Sequence, residues 1–387
     1  MLFAGYHKCD ITPPLGTPCA LGLDNEAEEI FDPIYVRALV LGDGTTAAAI
    51  LSLDLLGLNR CEVRSLCETL GSQTDIPPDN VVIHATHTHQ SPNVRIEFGK
   101  LLAQRGLKSY DPAYCDDVWN AAALCIRRAA SAQVACDVSY GEAPASNIAS
   151  NRRIRRPDGS VVMRASRDTA EMRQYAEGHV DPLARIVSFR RLDGREIILQ
   201  NFSCHPTATG GDEAPYVTAD FPGHALRLTE SAIERSDAMH LTGPCGDINP
   251  GKYAGLKARK DDAVAMGERL SKAVMEARAG AQRINVAQVE FRKSDARLSL
   301  RDDMPTQEEL EARLEEDIAA YQSAKDRGEM LPGGGRLRQT LCRLVVHRNA
   351  TDGALTTEVA ALSLGDLLLV FLPGECFLEM AHVVRHR

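Results

Sequence analysis

The sequence predicts an α/β protein: mixed β-sheets with hairpins, covered by helices. Three observations predict it. Apolar runs of strand length occur in pairs joined by short Gly/Asp turns, which is a hairpin pattern. Between the pairs lie stretches with apolar residues every three or four positions, which is helical spacing. Hairpins interleaved with helices imply a mixed sheet rather than a doubly wound parallel one, and no internal repeat or Gly-rich phosphate loop is present.

Taken in order, Val36–Leu41 and Ala47–Leu53 flank Gly42-Asp43-Gly44, the first hairpin. Val63, Leu66, Cys67 and Leu70 keep helical spacing, and Pro77-Pro78 ends that helix before a strand at Val81-Val82-Ile83. Val118, Trp119, Ala122, Cys125, Ile126 and Ala129 mark a second helix. Arg185–Leu192 and Glu196–Cys204 flank Asp193-Gly194, the second hairpin. Val264, Gly267, Leu270, Ser271 and Val274 predict a helix over 258–278. Residues 305–328 read as a highly charged helix with a thin stripe of Leu310, Leu314 and Ile318, followed by Pro332-Gly333-Gly334-Gly335. That segment, 305–335, is expected as an insertion in a single domain spanning 1–387, either a peripheral helix or a mobile cover over a site. Val359–Leu364 and Leu367–Leu372 flank Gly365-Asp366, the third hairpin.

Composition narrows the function classes. The chain has 387 residues, 44% hydrophobic and 25% charged, as in an ordinary soluble protein. A net charge of −9 argues against nucleic acid and anionic membranes as main partners. No apolar run of about 18 residues is present to span a bilayer. The eleven cysteines are odd in number, scattered and without a Cys-x-x-Cys, so they read as reduced core residues. With no secretory segment at Met1–Lys8, a cytoplasmic location is expected.

The chemistry concentrates at strand ends. His84-Ala85-Thr86-His87-Thr88-His89 closes the Val81-Val82-Ile83 run. If the strand runs that far, His87 and His89 share one face and His84 takes the other. Two imidazoles on one face can chelate Zn²⁺; a surface His-x-His, or hydrogen-bonded core histidines, is the plainer reading. His205 ends another strand, because Pro206 forces the residue before it to be extended. Glu375 follows the last strand through Pro373-Gly374 and is expected to open a helix over Cys376–His386, where first-turn amides favour a carboxylate. Histidines plus one carboxylate form the ligand set of a hydrolytic zinc site. Asp247, in the turn-rich run Gly243–Pro250, is a weaker signal. The run Asn151-Arg152-Arg153-Ile154-Arg155-Arg156 is basic within an acidic chain: a solvated loop, or an arginine that holds a carbonyl oxygen or an anionic group.

As a set, these residues resemble the neutral/alkaline non-lysosomal ceramidase family at its N-terminal catalytic domain. The resemblance runs through Asp10-Ile11-Thr12-Pro13-Pro14-Leu15-Gly16, Ser52-Leu53-Asp54-Leu55, Ala85–Pro92, Asn151-Arg152 and Asn201–Thr207. It continues in Ala219–Gly223, Gly246–Pro250 and Leu372-Pro373-Gly374-Glu375. It implies His87, His205 and Glu375 as zinc ligands and His89 as the acid/base beside the substrate. It implies Arg152 as the arginine facing the reacting carbonyl, with Arg153 as the fallback in that doublet. The family's further ligand, a tyrosine beyond the Pro-Gly-Glu helix, has no counterpart before Arg387, and Asn249 stands where the family carries a serine, which excludes a serine nucleophile there.

The expected function is therefore a zinc-dependent hydrolase, with a metal-activated water attacking an amide carbonyl first, an ester or lactone second. A compact polar acyl compound is expected as substrate rather than ceramide. Two alternatives stay open: a metal-dependent lyase or isomerase on a sugar-like metabolite, and a non-enzymatic binding protein that keeps the fold.

Overall fold

The computed structural model describes the chain except residues 20–25, 167–168, 211–215, 256–258, 328–334 and 386–387. In chain order, β1 (Phe3–Asp10), β2 (Glu29–Ile30), β3 (Tyr35–Gly42) and β4 (Ala47–Leu53) lead to α1 (Arg60–Gln73) and β5 (Val81–Ala85). Helices α2 (Ile96–Ala103) and α3 (Pro112–Ser131) precede β6 (Val134–Pro144). Short strands β7 (Ser150–Asn151), β8 (Arg153–Arg155) and β9 (Val161–Met163) and the helix α4 (Ala170–Gln174) follow. Then come β10 (Leu183–Arg191), β11 (Glu196–Phe202), β12 (Tyr216–Val217), α5 (Asp220–Ala232), β13 (Ser236–Thr242), β14 (Ile248–Asn249) and α6 (Arg259–Ala279). The last part holds β15 (Gln282–Ile284), β16 (Val289–Ser299), α7 (Gln307–Asp326), α8 (Gly335–Asn349), β17 (Ala354–Leu364), β18 (Leu367–Phe371) and α9 (Leu378–Arg385).

The main sheet is mixed, with order β13-β11-β10-β6-β1-β3-β4-β5 and β15 beside β6. Its pairs are antiparallel except β11 with β13 and β4 with β5. Alternating side chains explain its two-sided burial. In β3, Val36, Ala38 and Val40 face α1 and α3, while Leu39 and Leu41 face the opposite way. In the other half of the sheet, Ile198 and Phe202 of β11 pack towards α5 and α6, while Ile197 and Leu199 join Leu39 and Leu41. The sheet thus bends so that its two halves enclose one apolar layer with helices outside. Polar bonds close the bend: Ser52 Oγ donates to the His240 carbonyl at 2.7 Å, and Tyr6 Oη to the Ala238 carbonyl at 2.9 Å. The carboxyl ends of β5 and β13 meet there, with Thr242 Oγ1 donating to the Thr86 carbonyl at 2.7 Å.

A second sheet, β16-β17-β18, covers part of the inner layer with Val289, Leu362 and Leu364. Asp43, in the β3–β4 turn, accepts the Val289 N–H at 2.8 Å and joins the two sheets. Between β16 and β17 the chain makes the helical pair α7 and α8. Their stripes Leu310, Leu314, Ile318 and Leu337, Leu341, Leu344 pack with Phe98, Leu101 and Leu102 of α2.

The three expected hairpins and the helices at 60–73, 112–131 and 259–279 are present. The charged segment departs from expectation. It holds two helices and reaches Asn349, because Leu337, Leu341, Leu344 and Val345 form a second apolar stripe. The stretch Pro332-Gly333-Gly334 lies outside the described residues, while Gly335 begins α8. No described helix is long and apolar enough to cross a membrane.

Candidate active site

Four loops converge at the carboxyl ends of β5, β11, β13 and β18. The strand β5 stops at Ala85, two residues short of His87, which has φ +70°. His87 and His89 come together through this left-handed turn, not through strand pleating as expected from the sequence. Backbone bonds hold the turn: Thr86 N donates to the Leu53 carbonyl at 2.8 Å, and His87 N to the Leu55 carbonyl at 2.9 Å. His84 stays behind on β5, its Nδ1 3.4 Å from Ser52 Oγ, and burial pulls its pKa down to about 4. It is a neutral histidine outside the cluster.

His205 is buried on the loop after β11. Asp220 fixes the following residues: its carboxylate accepts the N–H groups of Ala208, Thr209 and Phe221 and the Thr209 hydroxyl. Glu375 sits in the turn after β18, where Gly374 has φ +69°, and α9 begins only at Leu378. Glu375 therefore does not sit in a helical first turn, and the helix-dipole argument for it does not apply. Asp247, on the loop between β13 and β14, holds the start of α9 instead. Its Oδ1 accepts the Leu378 N–H at 2.9 Å, capping α9, and its Oδ2 accepts Asn151 Nδ2 at 3.0 Å. Next to it, Gly246 N donates to the Cys376 carbonyl at 2.8 Å. A Cβ on Gly246 would stand 2.3 Å from the Glu375 carbonyl oxygen, so only glycine allows the two loops to dock.

The imidazoles of His87, His89 and His205 surround one point. Their ring centroids lie 5.1 Å (His87–His89), 4.8 Å (His87–His205) and 5.6 Å (His89–His205) apart. One ligand atom from each falls within 4.8 Å of the others. Glu375 completes the group, with Oε1 3.4 Å from His87 Nε2 and Oε2 3.2 Å from His205 Nε2. The tautomers follow from the backbone. His87 Nδ1 lies 2.6 Å from the Leu56 carbonyl, and His205 Nδ1 lies 2.6 Å from the Cys245 and 3.0 Å from the Ile248 carbonyl. Carbonyls only accept, so both Nδ1 atoms carry the proton. In a neutral ring this leaves Nε2 as a lone pair, here aimed at a carboxylate. Two lone pairs facing two carboxylate oxygens repel unless a cation lies between them.

The donor set fits a metal on this ground. A tetrahedral zinc with arms of about 2.0–2.1 Å has ligand–ligand edges of roughly 3.3 Å, which the two Nε2–Oε distances match. Histidines whose second nitrogen donates to a backbone carbonyl are the usual form of metal ligands. With the rings charged, His205 first and His87 second hold the Glu375 carboxyl far below the usual carboxylate range, against the effect of burial. Either way the cluster places two positive charges beside the Glu375 carboxylate, as one divalent ion or as two charged rings.

Arg152 N donates to the Asp247 carbonyl at 2.8 Å, and its Nη2 donates to the Gly246 carbonyl. Its Nε is buried and finds no acceptor in the described chain. Arg153 is exposed and stacks its guanidinium over Phe377 at 5.2 Å. The doublet thus turns Arg152 inward to the Gly246 loop and Arg153 outward. Over the cluster opens a cleft of about 1330 Å³ lined by His87, His89 and Glu375, with Leu199, Leu241, Leu369 and Phe371 among its apolar walls. Leu56, Cys245 and Ile248 hold the histidines through backbone carbonyls alone, so no side-chain pattern marked them in the sequence. Asp247 carried a signal, the Gly-Asp turn, but its partners are distant in the chain.

A mixed α/β scaffold carrying three histidines and a carboxylate at strand ends defines the class. The chain belongs to the neutral/alkaline non-lysosomal ceramidase family, whose N-terminal profile matches residues 4–268. Two solved structures are similar over 100% of this chain. One is described as a ceramidase complexed with C2, with 16% identity and TM-score 0.70. The other is neutral ceramidase from Pseudomonas aeruginosa, with 17% identity and TM-score 0.70. The chain spans 65% and 64% of their respective lengths. Among curated proteins no match is found.

Proposed function

We propose that this protein hydrolyses the amide bond of a ceramide-like N-acyl lipid, with a zinc ion held by His87, His205 and Glu375. The observation that carries this reading is the pair of Nε2 lone pairs, from His87 and His205, turned onto the two oxygens of Glu375. Zinc in such a site supplies Lewis acidity, polarising a carbonyl and lowering the pKa of water to about 7. The chain supplies the rest. Leu56 and Cys245 carbonyls fix the rings of His87 and His205. His89, beside both rings, takes a proton from the attacking water and delivers it to the leaving nitrogen. Arg152 is anchored to Gly246 by Nη2 and keeps Nε–H as the donor for the developing oxyanion. Water adds to the carbonyl carbon, the C–N bond breaks, and a carboxylate and an amine leave.

The substrate reading revises the compact polar compound expected from the sequence. The cleft, about 1330 Å³, exceeds an ordinary small-ligand pocket, and its apolar walls suit an acyl chain. The family points the same way. The test is metal analysis of the purified protein, followed by hydrolysis assays on amides, esters and lactones of graded chain length. The expected result is about one zinc per chain and fastest turnover of long-chain amides. A zinc-loaded protein that cleaves compact polar esters or lactones faster than any N-acyl lipid would overturn the proposal.

A further inference from the structure

Five of the eleven large apolar side chains exposed among the described residues belong to two elements, so the exposure is concentrated rather than scattered. Val161 and Met163 stand on β9, and Phe377, Met380 and Val383 on or just before α9, each between 42% and 55% exposed. β8 and β9 pair antiparallel, with Arg153 opposite Met163 and Arg155 opposite Val161. Directly paired residues share a face, so this hairpin sets two arginines among its two apolar side chains, while Ile154 is buried on the other face. Phe377, Met380 and Val383 recur every third residue and form one stripe of α9, whose Leu378 and Ala381 are buried. The Arg153 guanidinium lies 5.2 Å over the Phe377 ring and joins the hairpin to the helix. Arg153 and Arg155 have no carboxylate partner among the described residues. In the hairpin turn Arg156 and Asp158 offset each other, and Glu379 borders the stripe beside Val383. The surface adjoins the candidate active site: the hairpin begins directly after Arg152, and on another side α9 lines the cleft with Ala381 and Val384.

We propose that this face docks on a lipid bilayer that carries anionic headgroups. Val161, Met163, Phe377, Met380 and Val383 enter the boundary of the acyl chains, as the apolar side of an interfacial helix does. Arg153 and Arg155 lay their stems along the same surface and keep their guanidiniums at the level of the headgroups, where phosphate and carboxylate oxygens are their partners. The chain's net charge of −9 does not prevent this. At physiological salt, charges farther off than about 8 Å are largely screened, so the unpaired arginines at the contact decide its sign. The choice of a bilayer rests on the N-acyl lipid reading above: such a substrate resides in a membrane, and α9 would face that membrane on one side and the cleft on another.

The test is co-sedimentation of the full-length protein with vesicles of phosphatidylcholine, alone or mixed with phosphatidylserine. Wild-type protein is expected to bind the mixed vesicles about 5-fold or more tightly than the neutral ones, and added salt should shrink that preference. R153Q/R155Q should abolish the preference. M163S/M380S should weaken binding to both vesicles by about 10-fold or more. All four side chains are exposed, so both variants should keep the wild-type circular dichroism spectrum. Wild-type protein that binds neither vesicle, or either variant binding as wild type does, would overturn the proposal. A wild-type dimer that M163S/M380S makes monomeric, with no vesicle binding, would assign the face to a second copy and overturn it as well. The hydrolase reading is separable. Vesicle binding without cleavage of any N-acyl lipid keeps the surface and removes the hydrolase; cleavage in detergent micelles without vesicle binding does the reverse.

Discussion

Nε2 of His205 lies 3.2 Å from Oε2 of Glu375, although one follows a strand of the main sheet and the other a strand of the second sheet. The contact exists because the Gly246–Asp247 loop binds both partners. The Cys245 carbonyl holds the His205 ring, and Gly246 and Asp247 hold Cys376 and Leu378.

Removing the carboxylate should release the metal. Glu375→Ala is expected to lower zinc affinity by at least 100-fold, read by chelator competition, with the circular dichroism spectrum unchanged. Zinc affinity equal to wild type would show that Glu375 is not a ligand.

His89→Ala should retain zinc and lose about 10²–10⁴-fold in kcat, the range of a general acid/base. Because His89 stands within ligand distance of the other two imidazoles, the metal measurement is the deciding one. A variant that loses its zinc would make His89 a ligand instead.

Gly246→Ala places a Cβ 2.3 Å from the Glu375 carbonyl oxygen and has to push the two loops apart. Zinc affinity should fall by about 10–100-fold, as for other groups that orient metal ligands. Wild-type affinity in this variant would show that the loop docking does not set the site.

Leu341 is 1% exposed in the core that joins α8 to α2 and α7. Leu341→Ala should cost about 2–5 kcal/mol of stability by urea unfolding. It should also raise KM more than it lowers kcat, since α8 forms a cleft wall and holds no cluster residue. An equal loss of zinc would contradict that division.

The Asp43 carboxyl has its pKa pulled from 3.8 to about 2 by the backbone N–H groups of Thr46, Val289 and Thr45. A folded-state pKa below the unfolded one adds stability above the unfolded pKa, and that stability is lost as pH falls towards the folded pKa. Unfolding free energy should therefore drop between about pH 4 and pH 2, and less steeply in Asp43→Asn. Equal slopes in the two proteins would remove Asp43 as the pH-sensitive tie between the sheets.

The strands, hairpins and long helices were legible because their signals are local: Val36 to Leu41 form an apolar run of strand length, and Val118 to Ala129 keep helical spacing, whatever they later touch. His87, His89, His205 and Glu375 were legible as residue types at strand ends. The second helix of the insertion was hidden by the Gly run before it and by its many charges, although Leu337, Leu341 and Leu344 carried the spacing. Three things only the tertiary structure decided. The bend of the main sheet brings the ends of β5 and β13 together, and no local pattern encodes a closure between strands so far apart in the chain. The histidine tautomers depend on the Leu56, Cys245 and Ile248 carbonyls, which every residue possesses and no side chain announces. The part of α8 that lines the cleft depends on how its apolar stripe is buried, and that is settled only when Phe98, Leu101 and Leu102 of α2 provide the surface against which the stripe packs.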